Sequence, residues 1–119
     1  MLYTWRATCE YSAWARSRQT QGGILASQAR AQGMVPVWIF LPQVRQGTWQ
    51  DATAGAVQIA REAGFVVINM EDVYDGQDIE EIRLAEWDEH PNSLGHRLVA
   101  ERLYTELDAQ RSVVFSRPN

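Results

Sequence analysis

The two histidines of the chain, His90 and His96, lie in one short segment that also contains Asp88. In an extended backbone, side chains two residues apart leave on the same side, so the carboxylate of Asp88 can reach the ring of His90. A carboxylate that accepts a hydrogen bond from one ring nitrogen fixes the tautomer of the imidazole and stabilises its protonated form. The other ring nitrogen is then available as a general base. The spacing therefore indicates an acid–base pair that can activate a nucleophile.

The same segment allows two other interpretations. Asp88 and His90 can form a structural or capping pair ahead of a helix for which Asn92 or Ser93 is the N-cap. Together with His96 they can bind a metal ion, but His96 falls inside the predicted helix, where a partly buried packing or hydrogen-bonding role is expected. We therefore expect no metal ligands in this segment.

A βαβ unit is predicted over residues 35–70, and it must position this pair. Residues 35–41 form a continuous apolar run rich in β-branched and aromatic residues, and residues 65–70, apolar except for Asn69, are predicted to form a second buried strand. Such runs are typical of parallel strands whose two faces are covered by helices. The helix between them is predicted to begin at an N-cap, Thr48, and to end at Gly64. Its predicted buried stripe consists of Ala52, Ala56, Ile59 and Ala63.

Further helices are predicted on both sides of this unit. Apolar spacing predicts an amphipathic helix over residues 2–18 and a break at residues 21–23. Residues 24–32 are predicted to form a second helix, or the continuation of the first, that ends at Gly33. Residues 87–92 are predicted to form the loop that carries the acid–base pair. A last helix is predicted from residue 93 to about residue 110, followed by one short edge strand at residues 113–115. The helix is expected to pack through Leu94, Leu98, Leu103 and Leu107.

The number of strands is low for an α/β sheet, which has about five or six on average. Two apolar strands and one doubtful edge strand leave at least one sheet edge open, and an open apolar edge tends to pair with another strand. We therefore interpret residues 1–119 as a single partial domain. Self-association through the exposed sheet edge is an alternative.

Polar side chains follow the two predicted parallel strands at the edge where open α/β sheets bind ligands. Gln43 follows the first strand, and Glu71 and Asp72 follow the second. These three residues are candidates for substrate contacts, although Glu71 and Asp72 can also be ordinary solvated loop acids. Trp87, beside the acid–base pair, is expected either to shield His90 from water or to anchor its loop.

Composition excludes several classes of protein. The net charge is −4 and all 11 basic residues are arginines scattered along the chain, whereas nucleic-acid binding usually requires a basic patch. The only cysteine, Cys9, allows no intrachain disulfide and no thiolate metal cluster. The longest apolar run, residues 34–42, is too short to span a membrane. No secretory signal is evident, and the compartment stays open.

The block from Trp87 to Glu101, which reads WDEHPNSLGHRLVAE, resembles the last sequence block of the SGNH (GDSL-type) hydrolases. In that block the Asp and His of a Ser-His-Asp triad precede a helix. The two apolar strands and this block also come in the order found in the family, so the resemblance covers most of residues 24–107. It is strongest at residues 88–101.

This resemblance implies a fold, an activity and two catalytic residues. The fold would be part of a flavodoxin-like three-layer α/β/α sandwich with a parallel sheet. The activity would be hydrolysis or acyl transfer on an ester or acylated small molecule, carbohydrate or lipid, through a serine acyl-enzyme and without a cofactor. His90 would be the general base and Asp88 its orienting acid.

The sequence departs from the family pattern at two points. The family spacing is commonly Asp-x-x-His, whereas this chain has Asp-x-His. None of its serines lies in the Gly-Asp-Ser motif of the family nucleophile, and no Gly-x-Asn-Asp occurs. Together with the low strand count, these absences predict the C-terminal portion of an SGNH-like domain that is inactive alone. A noncatalytic interaction protein is the alternative.

Overall fold

The computed structural model describes residues 20–45 and 50–116, and within them the first element is a helix, α1, over residues 20–31. Gly33 follows it with a φ of 74°, as expected of a helix-ending glycine. The predicted break at residues 21–23 is wrong, because α1 continues through Gly22. A Cβ atom at Gly22 would lie 3.4 Å from Cβ of Ala63, an ordinary van der Waals distance, so this part of α1 lies beside Ala63. The predicted helix over residues 2–18 lies outside the described residues.

A parallel two-stranded sheet is formed by β1 (Val37–Phe40) and β2 (Val66–Asn69), which are connected by the helix α2 (Gln50–Glu62). In the register of the pair, Val37 lies opposite Val66 and Phe40 opposite Asn69. The predicted α/β class and the β–α–β order over residues 35–70 are therefore confirmed. Among the described residues, β1 and β2 pair only with each other.

The buried stripe of α2 is displaced by one residue from the predicted one. Thr53, Val57 and Ala60 are buried, at the three- and four-residue spacing of one helix face. Thr53 can be buried because its hydroxyl donates a hydrogen bond to Glu71, which hydropathy alone does not reveal. Gly64, with a φ of 95°, follows the helix as predicted. Of the predicted stripe, Ala56, Ile59 and Ala63 are half-buried. The side chain of Ala52 and the predicted N-cap, Thr48, lie outside the described part of the chain.

An antiparallel hairpin follows the first sheet and carries the candidate pair. A short helix, α3 (Ile79–Ile82), leads into β3 (Arg83–Ala85), which pairs with β4 (Asp88–Pro91). The predicted loop at residues 87–92 is therefore mostly a strand. Its extended backbone is the conformation that the two-residue spacing of the acid–base pair requires.

The chain ends, within the described residues, in two helices, α4 (Ser93–Ala109) and α5 (Arg111–Val114). The predicted edge strand at residues 113–115 is wrong. The backbone N–H groups of Val113 and Val114 both bond to the carbonyl of Gln110, so local helical hydrogen bonds form there in place of a strand ladder.

The hydrophobic core lies between the end of the parallel sheet, the hairpin and α4. Val44, Ile68, Met70 and Ile82 are buried at its centre. On α4, the predicted packing of Leu98, Leu103 and Leu107 is confirmed, whereas the predicted packing of Leu94 is wrong because its side chain is exposed. The α4 residues packed against the core are Leu98, Val99, Leu103 and Leu107.

Within the described part of the chain, no helix is long and apolar enough to cross a membrane.

Candidate active site

Asp88 and His90 form a hydrogen-bonded pair on β4. Nδ1 of His90 lies 2.5 Å from Oδ1 of Asp88, and the same Oδ1 accepts a hydrogen bond of 3.0 Å from the backbone N–H of His90. The two side chains meet because alternate residues of an extended strand lie on the same side. The pair predicted from the sequence is therefore brought together by the backbone of a single strand.

The hydrogen bonds from His90 stabilise the ionised form of Asp88. The backbone N–H of His90, and after it the ring N–H, hold the pKa of the Asp88 carboxyl below its ordinary value. Asp88 is therefore an ionised acceptor throughout the neutral pH range. This is the state in which a carboxylate can orient an imidazole and stabilise its protonated form.

The contact with Asp88 also decides which nitrogen of neutral His90 carries the proton. An ionised carboxylate has no hydrogen to donate, so Nδ1 must be the donor and Nε2 keeps its lone pair. The side chain of His90 is 79% exposed. In the part of the chain that the structure describes, Nε2 has no hydrogen-bond partner and can accept a proton from an incoming group.

A backbone contact attaches the hairpin to the parallel sheet. The N–H of Val44, in the segment after β1, donates a 2.7 Å hydrogen bond to the carbonyl of Glu89. Val44 itself is fully buried in the core. Glu89 lies between the two residues of the acid–base pair, so the strand that carries the pair is attached to the segment that follows β1.

Asn92 connects the strand that carries His90 to the helix that follows. Its Oδ1 accepts hydrogen bonds from the backbone N–H groups of Leu94 and Gly95, as an N-cap does, at 3.0 and 3.1 Å. Its Nδ2 donates to the carbonyls of Glu81 and Arg83, at 2.8 and 3.2 Å. The predicted N-cap role is confirmed, and the second pair of bonds extends to α3 and β3.

Gly95 allows α4 to begin close against the hairpin. A Cβ atom at this position would lie 2.6 Å from Cβ of Pro91 and 2.7 Å from the carbonyl oxygen of Ile82. Both distances are too short for a side chain at this position, and the carbonyl oxygen of Ile82 belongs to the backbone. The glycine therefore fixes how closely the helix approaches the end of β4.

The candidate substrate-contact residues lie after the parallel strands, as predicted, but do not join the pair. Gln43 is exposed, and Glu71 is half-buried, with hydrogen bonds to Thr53 and Asn69. Asp72 forms an ion pair of 3.1 Å with Arg102. Among the described residues, no hydrogen bond or ion pair links Gln43, Glu71 or Asp72 to Asp88 or His90.

Trp87 is 88% exposed, at the turn between β3 and β4. The predicted role of Trp87 as an anchor of the loop is wrong within the described chain, because its indole is exposed. The predicted role as a shield of His90 is also wrong there, because the side chain of His90 is exposed to solvent. The exposure of both side chains leaves the acid–base pair open to solvent.

His96 lies on an exposed surface of α4, and the partly buried role expected for it is wrong. Within residues 20–45 and 50–116, no group of three or more His, Cys, Asp or Glu side chains is arranged to hold a metal ion. The metal-binding alternative for Asp88, His90 and His96 is therefore not supported by their placement.

No family model, curated protein or solved structure matches the chain.

Two residues that support the pair, Val44 and Gly95, were not predicted from the sequence to do so. The backbone bond from Val44 leaves no trace in residue type, because any residue except proline could make it. Gly95 does leave a signal, since a glycine inside an otherwise regular helix often marks a close approach.

Proposed function

We propose that Asp88 and His90 are the acid–base pair of a serine hydrolase site of the SGNH type, acting on an ester or acylated small molecule, carbohydrate or lipid. The observation that carries this proposal is the 2.5 Å contact between Nδ1 of His90 and Oδ1 of Asp88, with Nε2 left exposed. The sequence resemblance at residues 88–101 supports the same assignment. No organic cofactor or metal takes part in the proposed reaction.

In the proposed reaction, Nε2 of His90 takes the proton of a serine hydroxyl while the serine oxygen attacks the ester carbonyl carbon. Asp88 stabilises the imidazolium that forms. The tetrahedral intermediate then collapses, the bond to the leaving alcohol breaks, and His90 returns the proton to that alcohol. Water, or an acceptor alcohol in acyl transfer, cleaves the acyl-enzyme by the same proton transfers in reverse order.

Among the residues that the structure describes, none beside the pair provides the nucleophile. Among the described serines, no hydroxyl is hydrogen-bonded to His90. We infer that the serine and the oxyanion donors belong to a further part of the same domain, which would complete a three-layer α/β/α sandwich. Among the described residues, β1 and β2 pair only with each other, and we infer that strands of this further part would extend the sheet.

The experiment that tests this function compares two histidine substitutions in the protein as it occurs in its source, with ester turnover as the readout. His90→Ala is expected to abolish turnover and to leave the melting temperature close to that of the wild type, because His90 is exposed. His96→Ala is the matched control, since His96 is the other histidine and is also exposed. Turnover retained by the His90→Ala protein would contradict the proposal.

A second candidate function is noncatalytic association through the sheet. The apolar side chains of Ile39 and Leu41, in β1 and just after it, are exposed, and the β1–β2 pair has open edges within the described residues. This function predicts that the chain self-associates in sedimentation experiments and that Ile39→Lys makes it monomeric. Self-association without serine-hydrolase activity in any native context would favour it over the esterase function.

A further inference from the structure

Asn92 makes hydrogen bonds with three separate elements, using both its side chain and its backbone. Its backbone N–H donates to the carbonyl of Ile82 at 2.8 Å, and its own carbonyl accepts from His96 at 2.8 Å. Its side chain caps α4 through Oδ1 and reaches Glu81 and Arg83 through Nδ2. A single side chain therefore joins the end of α3, the start of β3 and the first turn of α4.

The hairpin depends on such a connection because it is very short. β3 has three residues and β4 has four, with a register irregularity between Arg83 and Ala85. A two-stranded hairpin of this size is at best marginally stable by itself. Arg83 lies opposite Pro91, so the bond from Nδ2 of Asn92 to the Arg83 carbonyl closes the hairpin at the end next to His90.

The side chain of His90 receives no comparable support of its own. It is largely exposed, and among the described residues its only side-chain hydrogen bond is with Asp88, on the same strand. The geometry of the pair is thus set by the backbone of β4, and β4 is held by its pairing with β3, by the backbone contact from Val44 and by Asn92.

We infer that Asn92 is a positioning residue for the acid–base pair: its Nδ2 bonds to Glu81 and Arg83 hold β4 in the extended conformation that places Asp88 against His90. This inference rests on the proposed function where catalysis is concerned. Its structural part, the dependence of the Asp88–His90 bond on Asn92, does not need a nucleophile and is testable without one.

Two substitutions separate this role from helix capping. Asn92→Asp keeps an acceptor for the N-terminal N–H groups of α4 but replaces the Nδ2 donor with an oxygen that faces two carbonyls. Asn92→Ser also keeps a capping oxygen and removes the donor without adding charge, so it serves if the aspartate variant does not fold. Ser93→Ala, at the neighbouring exposed position, is the control.

The readout is NMR of the full chain, labelled with 15N in its histidine rings and 13C in its carboxylates. In the wild type and in Ser93→Ala, the neutral ring of His90 is expected to carry its proton on Nδ1. In both Asn92 variants the Nδ1–H population is expected to fall, and the pKa of Asp88 to rise toward its ordinary value. Helix capping alone would lower the melting temperature without moving either signal. Folded Asn92 variants that keep both signals unchanged would overturn the inference.

One measurement on the unsubstituted chain applies even if neither variant folds. On heating, the side-chain amide protons of Asn92 and the Nδ1 proton of His90 are expected to be lost over the same temperature range. Persistence of the His90 signal after the Asn92 amide has become free would overturn the inference.

A catalytic readout then separates this inference from the proposed function. In the native protein, Asn92→Asp is expected to slow labelling by a serine-reactive fluorophosphonate about 10- to 100-fold, because small displacements of a catalytic base are costly. If the native protein is not labelled at all, the proposed function fails, but the NMR result still decides the role of Asn92. If it is labelled and Asn92→Asp is labelled at the wild-type rate, the positioning role fails alone.

Discussion

Asp88 accepts two hydrogen bonds from His90, one from its backbone N–H at 3.0 Å and one from its ring Nδ1 at 2.5 Å. Both come from a residue only two positions away, so the pair is made by local backbone geometry. The wider fold determines where this strand lies, through Val44 and Asn92.

The first prediction concerns the tautomer of His90. Free neutral histidine prefers the proton on Nε2, whereas His90 is expected to carry it on Nδ1 because Asp88 can only accept. Substituting Asp88→Ala should remove this preference and return the ring to mainly the Nε2–H form. The 15N shifts of the two ring nitrogens measure this directly, and those of His96 should not change. A wild-type His90 with its proton on Nε2 would contradict the described contact.

The second prediction is a pH dependence of stability that comes from Asp88. Because its pKa is lowered in the folded chain, the folded state binds fewer protons at this site than the unfolded state. The stabilisation is therefore complete above the ordinary pKa of about 3.9 and is lost as the pH falls through the lower folded value. The difference in unfolding free energy between wild type and Asp88→Asn should be present at pH 6 and shrink below about pH 4. If the difference in unfolding free energy grew as the pH fell, the prediction would be contradicted, because folding would then raise the pKa of Asp88.

The third prediction concerns Gly95. Gly95→Ala should destabilise the chain by about 1–3 kcal/mol, since the new methyl group meets Pro91 and the Ile82 carbonyl at distances that force a shift. The control is Gly23→Ala in α1, where a Cβ has no neighbour within 4 Å and the φ angle is not positive. That change should stabilise the helix by about 0.5–1 kcal/mol. Chemical denaturation of both variants tests the contrast, and equal effects would be inconsistent with the tight packing at Gly95.

The fourth prediction concerns the buried hydroxyl of Thr53, which donates a hydrogen bond to Glu71. Thr53→Val should cost about 1–2 kcal/mol because the carboxylate loses its donor inside a partly buried site. Thr53→Ser keeps the donor and differs from wild type only by a methyl group, so it should destabilise less. If Val is tolerated better than Ser, the methyl contact and not the hydrogen bond dominates at this position.

Several features of the fold could be predicted because they depend on local patterns. The two parallel strands follow from runs rich in β-branched and aromatic residues, and the helix ends at Gly33 and Gly64 follow from the positive φ that glycine tolerates. The Asp88–His90 contact follows from the two-residue period of an extended chain.

The errors arise where tertiary contacts outweigh local preference. α1 continues through Gly22, where a Cβ atom would lie 3.4 Å from Ala63 and 3.5 Å from the ring of Phe65, so this turn of the helix lies beside the segment that leads into β2. The buried face of α2 turns by one residue because Glu71 provides a partner for Thr53. The exposure of Trp87 could not be predicted, since hydropathy favours burial of an indole and nothing near it in sequence signals otherwise.

The most direct test of the central claim is the intact mass of the protein isolated from its source after treatment with a fluorophosphonate probe. The Asp88–His90 pair, as the acid–base half of a serine hydrolase site, predicts a labelled species well above 13.6 kDa that contains the peptides of this chain. An unlabelled species of 13.6 kDa would contradict the claim, because the pair would then have no serine to serve.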